Sequence, residues 1–214
     1  CVASFPPRER QLKQVVASLI DQVDRIFVYL NDYVSVPDYL KHPRIEVRVG
    51  GEDLRDNGKF AFTTELPAGY CFTVDDDIVY PPDYVQAMIR KVEIYGRMAA
   101  VGLHGTIFAK PFVSYFEGRK LFHFKQSLDR DELVDQLGTG TLCFHTSLWN
   151  PSHLDFSSKG MVDAWIAVAA VKAGIPLVAV SRKRNWLMPI PDPAANGAST
   201  LFDEFKNSCE AQTA

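Results

Sequence analysis

Tyr70-Cys71-Phe72-Thr73-Val74-Asp75-Asp76-Asp77 is the stretch that decides the reading of this chain. Its first five residues are nearly all apolar, with no alternating polar face, which is the pattern of a strand covered on both sides. The run stops at three consecutive aspartates. Such repulsion is tolerated only in water or beside a cation. In open parallel sheets the ligand lies just beyond the carboxyl ends of the strands, so an acidic cluster there is the first place to look for a site.

Working outward, the first third alternates short apolar runs with helical patterns, as βαβ units do. Strand candidates are Cys1 to Ser4, Arg25 to Leu30, Ile45 to Val49 and Tyr70 to Val74, with helical patterns over Arg8 to Gln22 and Lys59 to Leu66. In the first helix Leu12, Val15, Val16 and Leu19 form one apolar stripe, and Pro6-Pro7 sets its start. A second helix follows Pro81-Pro82 with Val85, Met88, Ile89 and Val92 on one face, leading to a strand at Ala99 to His104. From Thr106 to Asp131 aromatic residues interleave with Lys and Arg, a pattern of strands, a hairpin or a mobile flap. Gly138-Thr139-Gly140 then leads into a strand at Thr141 to His145. A helix beginning near Gly160 follows, with Val162, Trp165, Ile166 and Ala169 on one face, then a strand at Pro176 to Val180. The expectation is an α/β domain over residues 1–188, with a mostly parallel, Rossmann-like nucleotide-binding sheet covered by helices on both faces. Residues 189–214 read as a loosely packed tail.

Bulk properties bound the function. With 214 residues, 47% hydrophobic and 23% charged, the chain suits one globular domain. Its 23 basic and 26 acidic residues give a formal charge of −3, which argues against nucleic acid as partner. No run approaches the roughly 20 apolar residues of a membrane span. Cysteines 1, 71, 143 and 209 lack the paired spacing of a zinc site, and Cys71 and Cys143 read as buried thiols of a reducing, cytoplasmic compartment. Because Cys1 already lies in a strand-like run, a preceding segment is expected, which could carry a membrane attachment or another domain.

A hard divalent ion, Mn²⁺ or Mg²⁺, is the natural partner of the aspartates, since such ions use one or two carboxylates plus substrate phosphates. Alternation at a strand end puts Asp75 and Asp77 on one side. The competing reading is a solvated loop in which Asp76 or Asp77 caps the turn before Pro81.

The strand and its aspartates resemble the DXD motif of GT-A-fold glycosyltransferases. Ser4-Phe5-Pro6-Pro7-Arg8 resembles the strand-to-helix loop enclosing the nucleotide base in that fold, and Asp56-Asn57-Gly58-Lys59 resembles the segment preceding the DXD strand. Gly160-Met161-Val162-Asp163-Ala164-Trp165 resembles the start of the helix carrying the catalytic base in inverting members, chiefly bacterial polysaccharide-synthesis enzymes. The likeness covers most of residues 1–187. It implies transfer of a sugar from a nucleoside-diphosphate sugar, by default a UDP-sugar, to a hydroxyl of a glycan or glycolipid acceptor. Asp75 and Asp77 would hold the metal; Ser4, Arg8, Asp56, Lys59, Asp75 and Asp76 would line the nucleotide; Asp163 would be the base, with Asp155 in reserve. Arg8 and Asp56 read equally as a solvated charge and a loop cap, and Asp163 as an ordinary helix-start carboxylate. Some members add a histidine ligand near the carboxyl end, whereas this chain has no histidine beyond His153.

Other features are less specific. Arg182-Lys183-Arg184 follows the last strand and reads either as a phosphate contact or as a solvated loop. His104 and His145 read as core or rim histidines, and Gly138-Thr139-Gly140 as a place for close backbone approach to a ligand. Asp75-Asp76-Asp77-Ile78-Val79 also fits the D-x-D-x-[TV] of haloacid-dehalogenase-type phosphatases, in which the aspartate strand usually comes first. A sugar nucleotidyltransferase lacks support because its Gly-rich N-terminal loop is missing. A non-catalytic nucleotide-sugar-binding module remains the rival from another class.

Overall fold

The computed structural model describes residues 1–112 and 114–191. Most of the expected tail, 192–214, lies outside the described residues. In chain order the elements are β1 (Val2–Ser4), α1 (Glu9–Leu19), β2 (Ile26–Leu30), β3 (Ile45–Val49), β4 (Tyr70–Val74), β5 (Ile78–Val79), α2 (Tyr84–Ile94) and β6 (Ala100–Gly102). They continue with β7 (Gly105–Phe108), β8 (Arg119–Phe122), β9 (Glu132–Val134), β10 (Gln136–Leu137), β11 (Thr141–His145), α3 (Val162–Ala173), β12 (Leu177–Ala179) and β13 (Met188–Pro189).

Eight strands form the main sheet in the order β3-β2-β1-β4-β11-β6-β12-β9. β3, β2, β1 and β4 are parallel neighbours, and β6 is parallel to β12. β11 runs against both β4 and β6, and β9 against β12. The sheet is therefore mixed. An apolar run such as Thr141 to His145 announces burial and says nothing about direction. The direction follows from the path: the chain returns from β10 at the carboxyl edge of β4, so Thr141 pairs with Val74 and His145 with Tyr70.

Side chains alternate between two apolar layers. Val2, Val28, Leu30, Val74, Val101, Cys143 and Val178 pack with α1 and α2. Cys71, Ala100, Leu142, Phe144, Leu177 and Ala179 pack with α3 on the other face, where Ala3 and Tyr29 meet Phe62. Helices thus cover both faces. The stripe expected for α1 is buried at Leu12, Val15, Val16 and Leu19. An isolated helix of 11 residues is marginal in water, so burial of these side chains, worth about 1.5–3 kcal/mol each, holds it on the sheet. α3 buries Val162, Ile166 and Ala170 and stops at Gly174, whose φ of 67° is the left-handed conformation of a helix end. Cys71 and Cys143 are buried free thiols.

One segment differs from expectation. Residues 59–66 form no α-helix: 3-10 turns at Arg55–Phe60 and Thr63–Glu65 replace it. Gly58 sits so close to the Tyr29 ring that a Cβ would come within 2.8 Å of it, which fixes the path of this segment over the sheet. The stretch from 106 holds an antiparallel hairpin, β7 with β8, completed by β10 into a three-stranded sheet. No helix among the described residues is long and apolar enough to cross a membrane.

The loop before β9 is pinned to α2 and the end of β12 through Asp131. Its carboxylate accepts from Lys91 Nζ at 2.8 and 3.0 Å, from Tyr95 Oη at 2.9 Å and from the Ser181 N–H at 2.6 Å. Burial alone would raise its pKa, but these donors outweigh it and hold the carboxyl below the usual range. Stabilisation from this group is present above the ordinary carboxylate pKa and fades as pH falls through the depressed one. Replacing a charge-assisted acceptor by a neutral one costs about 2 kcal/mol here, so Asp131→Asn is expected to lower the urea midpoint at pH 7 without changing the slope, the difference shrinking towards pH 3.

Candidate functional site

The order β3-β2-β1-β4 places β1 where the sheet changes its winding direction, and the crevice beyond β1 and β4 is the ligand position of open α/β sheets. Both strands end in the polar residues singled out above. Ser4 Oγ donates to Asp76 Oδ2 at 2.6 Å. Arg8, one turn into the following segment, donates to Asp77 Oδ2 at 2.6 Å and stands 3.8 Å from Asp76. The Asp76 side chain is 13% exposed, against 35% for Asp77 and 37% for Asp75. Asp76 therefore turns inward onto β1, while Asp75 and Asp77 keep access to the crevice.

On the other side of β4 a buried cation links two carboxylates. Lys59 Nζ pairs with Asp75 and donates to Thr139 Oγ1 at 3.2 Å, and both the Oγ1 and the N–H of Thr139 donate to Asp163 Oδ1 at 2.8 Å. The chain Asp75-Lys59-Thr139-Asp163 is continuous. Burial opposes the Lys59 charge, but Asp75 and Asp163 overcome it and raise its pKa. Two further contacts set the geometry. Tyr80 Oη accepts from the Asp75 N–H at 2.9 Å and donates to the Gly140 carbonyl at 2.6 Å. A Cβ at Gly140 would collide with the Asp75 carboxylate, so a side chain there would push that carboxylate off Lys59.

Asp75, Lys59, Thr139 and Asp163 line a cavity of about 520 Å³ whose other side is the β7-β8-β10 sheet. A second cavity, about 370 Å³ and mainly apolar, lies between α1, α2 and the opposite edge of the sheet and includes none of the site carboxylates.

The remaining sequence candidates divide. Asp56 accepts from the N–H groups of Gly160 at 2.8 Å and Val162 at 3.2 Å, so it caps the start of α3, the loop-capping role weighed for it, while also lining the cavity. Asp155 is exposed in a short 3-10 turn and does not line the cavity. Arg182 is buried and donates to the carbonyls of Gln126, Val180, Phe122 and His123, so it braces two loops; Lys183 and Arg184 are exposed. His145 stacks edge-on against Tyr70, as a core or rim histidine does. His104, given no role from sequence, lines the cavity, as do Thr139, Tyr115, Arg119 and His123. Thr139 and Tyr80 act across 80 and 60 residues of chain, a relation local sequence does not carry. Arg119, Leu121 and His123 did leave a signal, since they recur with period two.

Burial is the main cause of the site's electrostatics. It raises the carboxyl of Asp76 to about 7, with Asp77 and Asp75 adding and Ser4 and Arg8 opposing. Burial likewise raises Asp77, with Asp75 adding, and Asp163, against Lys59 and Thr139. Among the described residues no group of three or more His, Cys, Asp or Glu converges to hold a metal by itself. Asp75 and Asp77 are the two part-exposed carboxylates of this strand end, oxygen donors of the kind that a hard cation takes.

No protein-family model matches the chain, and no curated protein matches its sequence.

Folding against ionisation leaves a thermodynamic mark. A raised carboxyl contributes stability that is fully present below its unfolded pKa and is lost as pH rises through the folded value, near 7 for Asp76. Asp76→Asn keeps an acceptor for Ser4 and removes the charge. In metal-free protein it is expected to raise the melting temperature at pH 8 and to raise it less at pH 5; scanning calorimetry at the two pH values checks this.

Proposed function

We propose that the chain is a metal-dependent, GT-A-type glycosyltransferase that moves a sugar from a nucleoside-diphosphate donor, a UDP-sugar in the first instance, to a hydroxyl of a glycan or glycolipid acceptor. The observation that supports it best is the bonded line from Asp75 through Lys59 and Thr139 to Asp163. That line joins Asp75, the first of the three aspartates, to Asp163 along the wall of one cavity, which supports a reading in which a diphosphate and an acceptor hydroxyl meet there.

In this reading Asp75 and Asp77 hold Mn²⁺ or Mg²⁺, which would act as a Lewis acid on the departing diphosphate. Ser4 and Arg8, at the end of β1, flank the nucleotide; Arg8 holds Asp77 and Ser4 holds Asp76, so the loop and the aspartates are fixed together. Lys59 keeps positive charge beside Asp75, where the leaving group gains negative charge. Asp56 secures the start of α3, which sets the height of Asp163. Asp163 is placed for general-base work: burial raises its pKa above the ordinary carboxylate value, while the Lys59 charge and the two Thr139 donors favour its ionised form. It takes the proton of the acceptor hydroxyl as that oxygen forms a bond to the anomeric carbon. The bond from that carbon to the diphosphate oxygen breaks with its electron pair, and the centre inverts.

The reading is tested by calorimetric titration with UDP, GDP and CDP, each with Mn²⁺ and again with EDTA. Metal-dependent binding of one of them is expected, lost in Asp77→Asn. Asp163→Asn is expected to keep that binding and to lose transfer by about 10²–10⁴-fold, the usual share of a general base. Binding by none of the three, or equal affinity in wild type and Asp77→Asn, contradicts the assignment.

A further inference from the structure

The wall of the cavity facing the acidic residues carries a charge that the proposed reaction does not use. Strand alternation places Arg119, Leu121 and His123 on one face of β8 and its extension, beside Thr106 of β7 and Gln136 of β10, and all five line the cavity. Lys120, between them, turns the other way and lies over the Phe122 ring. Leu121 is 39% exposed although it belongs to a cavity wall, so this apolar side chain faces open space rather than core.

Arg119 is held without being neutralised. Its guanidinium lies 5.2 Å from the centre of the Tyr115 ring and 5.0 Å from that of Phe116. Tyr115 is itself fixed: Gln136 Nε2, on a side chain only 5% exposed, donates to its hydroxyl at 2.7 Å, and Phe108 packs on its ring at 5.6 Å. Among the described residues no carboxylate forms an ion pair with Arg119, whereas Lys59, the other cation lining the cavity, is bound to Asp75. Burial first, then neighbouring positive groups, lower both wall imidazoles, His104 to about 4, so at neutral pH the charge of this wall is that of Arg119.

A planar cation stacked on aromatic rings at a cavity wall, hydrogen-bonded to the Tyr115 hydroxyl but paired with no carboxylate among the described residues, is arranged for a planar or tetrahedral anion. We propose that the β7-β8-β10 wall is an anion-recognising subsite, in which Arg119 binds a carboxylate or phosphate carried by the substrate. This deepens the glycosyltransferase reading and rests on it for the claim that the anion belongs to a sugar. The anion sits on the donor sugar or on the acceptor, and two pairs of probes separate these sources.

Wild type, Arg119→Gln and Arg119→Lys are titrated with UDP-glucuronate against UDP-glucose, and with glucose 6-phosphate against glucose in the presence of UDP and Mn²⁺. In wild type the anionic member of one pair is expected to bind about tenfold more tightly than its neutral partner, the scale of one charge-assisted contact. Arg119→Gln brings the ratio to about one, and Arg119→Lys restores part of it, since an ammonium keeps the charge without the fork. Thermal melting of each variant confirms that it is folded. Equal binding within both pairs in wild type, or a preference that survives Arg119→Gln, overturns the subsite. Failure of UDP itself to bind strikes the glycosyltransferase reading instead; glucose 6-phosphate preferred over glucose through Arg119 in that case still supports the subsite.

Discussion

Lys59 is the group on which the site depends. It is a buried ammonium placed between Asp75, at the end of the central strand, and Thr139, which holds Asp163 at the start of α3. Carboxylates crowded into a half-buried crevice repel one another and resist desolvation. Lys59 on one side and Arg8 on the other make the crowding tolerable, and the raised pKa values of Asp76, Asp77 and Asp163 record how much of the penalty is left. Such strain at a strand end, while the rest of the sheet is conventionally apolar, is what singles out this crevice as the candidate site.

The fold exists around that arrangement in a definite sense. β1 and β4 bring Ser4 and the aspartates together at the point where strand order changes direction. The reversed strand β11 returns Gly138-Thr139-Gly140 past the end of β4, and Gly140, having no side chain, leaves the Asp75 carboxylate its place beside Lys59. Tyr80 then locks the two chain segments with one hydroxyl. The three-stranded sheet that precedes β11 closes the cavity from the far side. It supplies polar and cationic side chains where the main sheet supplies acids.

Much of this was legible in the sequence, for identifiable reasons. The stripe Leu12-Val15-Val16-Leu19 and the runs at Ile26 to Leu30 and Tyr70 to Val74 are local patterns set by burial, and each lies in the element it predicts. The cluster Asp75-Asp76-Asp77 stood out because three acids after a buried strand need an explanation, and Ser4, Arg8 and Lys59 each touch one of them. What local pattern could not supply was direction and distance. β11 reads as a buried strand whichever way it runs, Thr139 and Tyr80 matter through partners far along the chain, and Arg182 looks like a surface cation until the four carbonyls around it are seen. The helical reading of 59–66 failed because Gly58 must lie flat against Tyr29, a packing constraint with no periodic signature.

The central claim is that the carboxylate cluster at the β1/β4 crevice is where a metal-bound nucleoside diphosphate sits. Paramagnetic broadening of the backbone amide NMR spectrum by substoichiometric Mn²⁺, with and without UDP, locates the ion directly. The account predicts that the amides of Ser4, Asp75, Asp76, Asp77 and Gly140 broaden first, and more strongly when UDP is present. Broadening centred elsewhere, or a spectrum that Mn²⁺ and UDP leave unchanged, contradicts it.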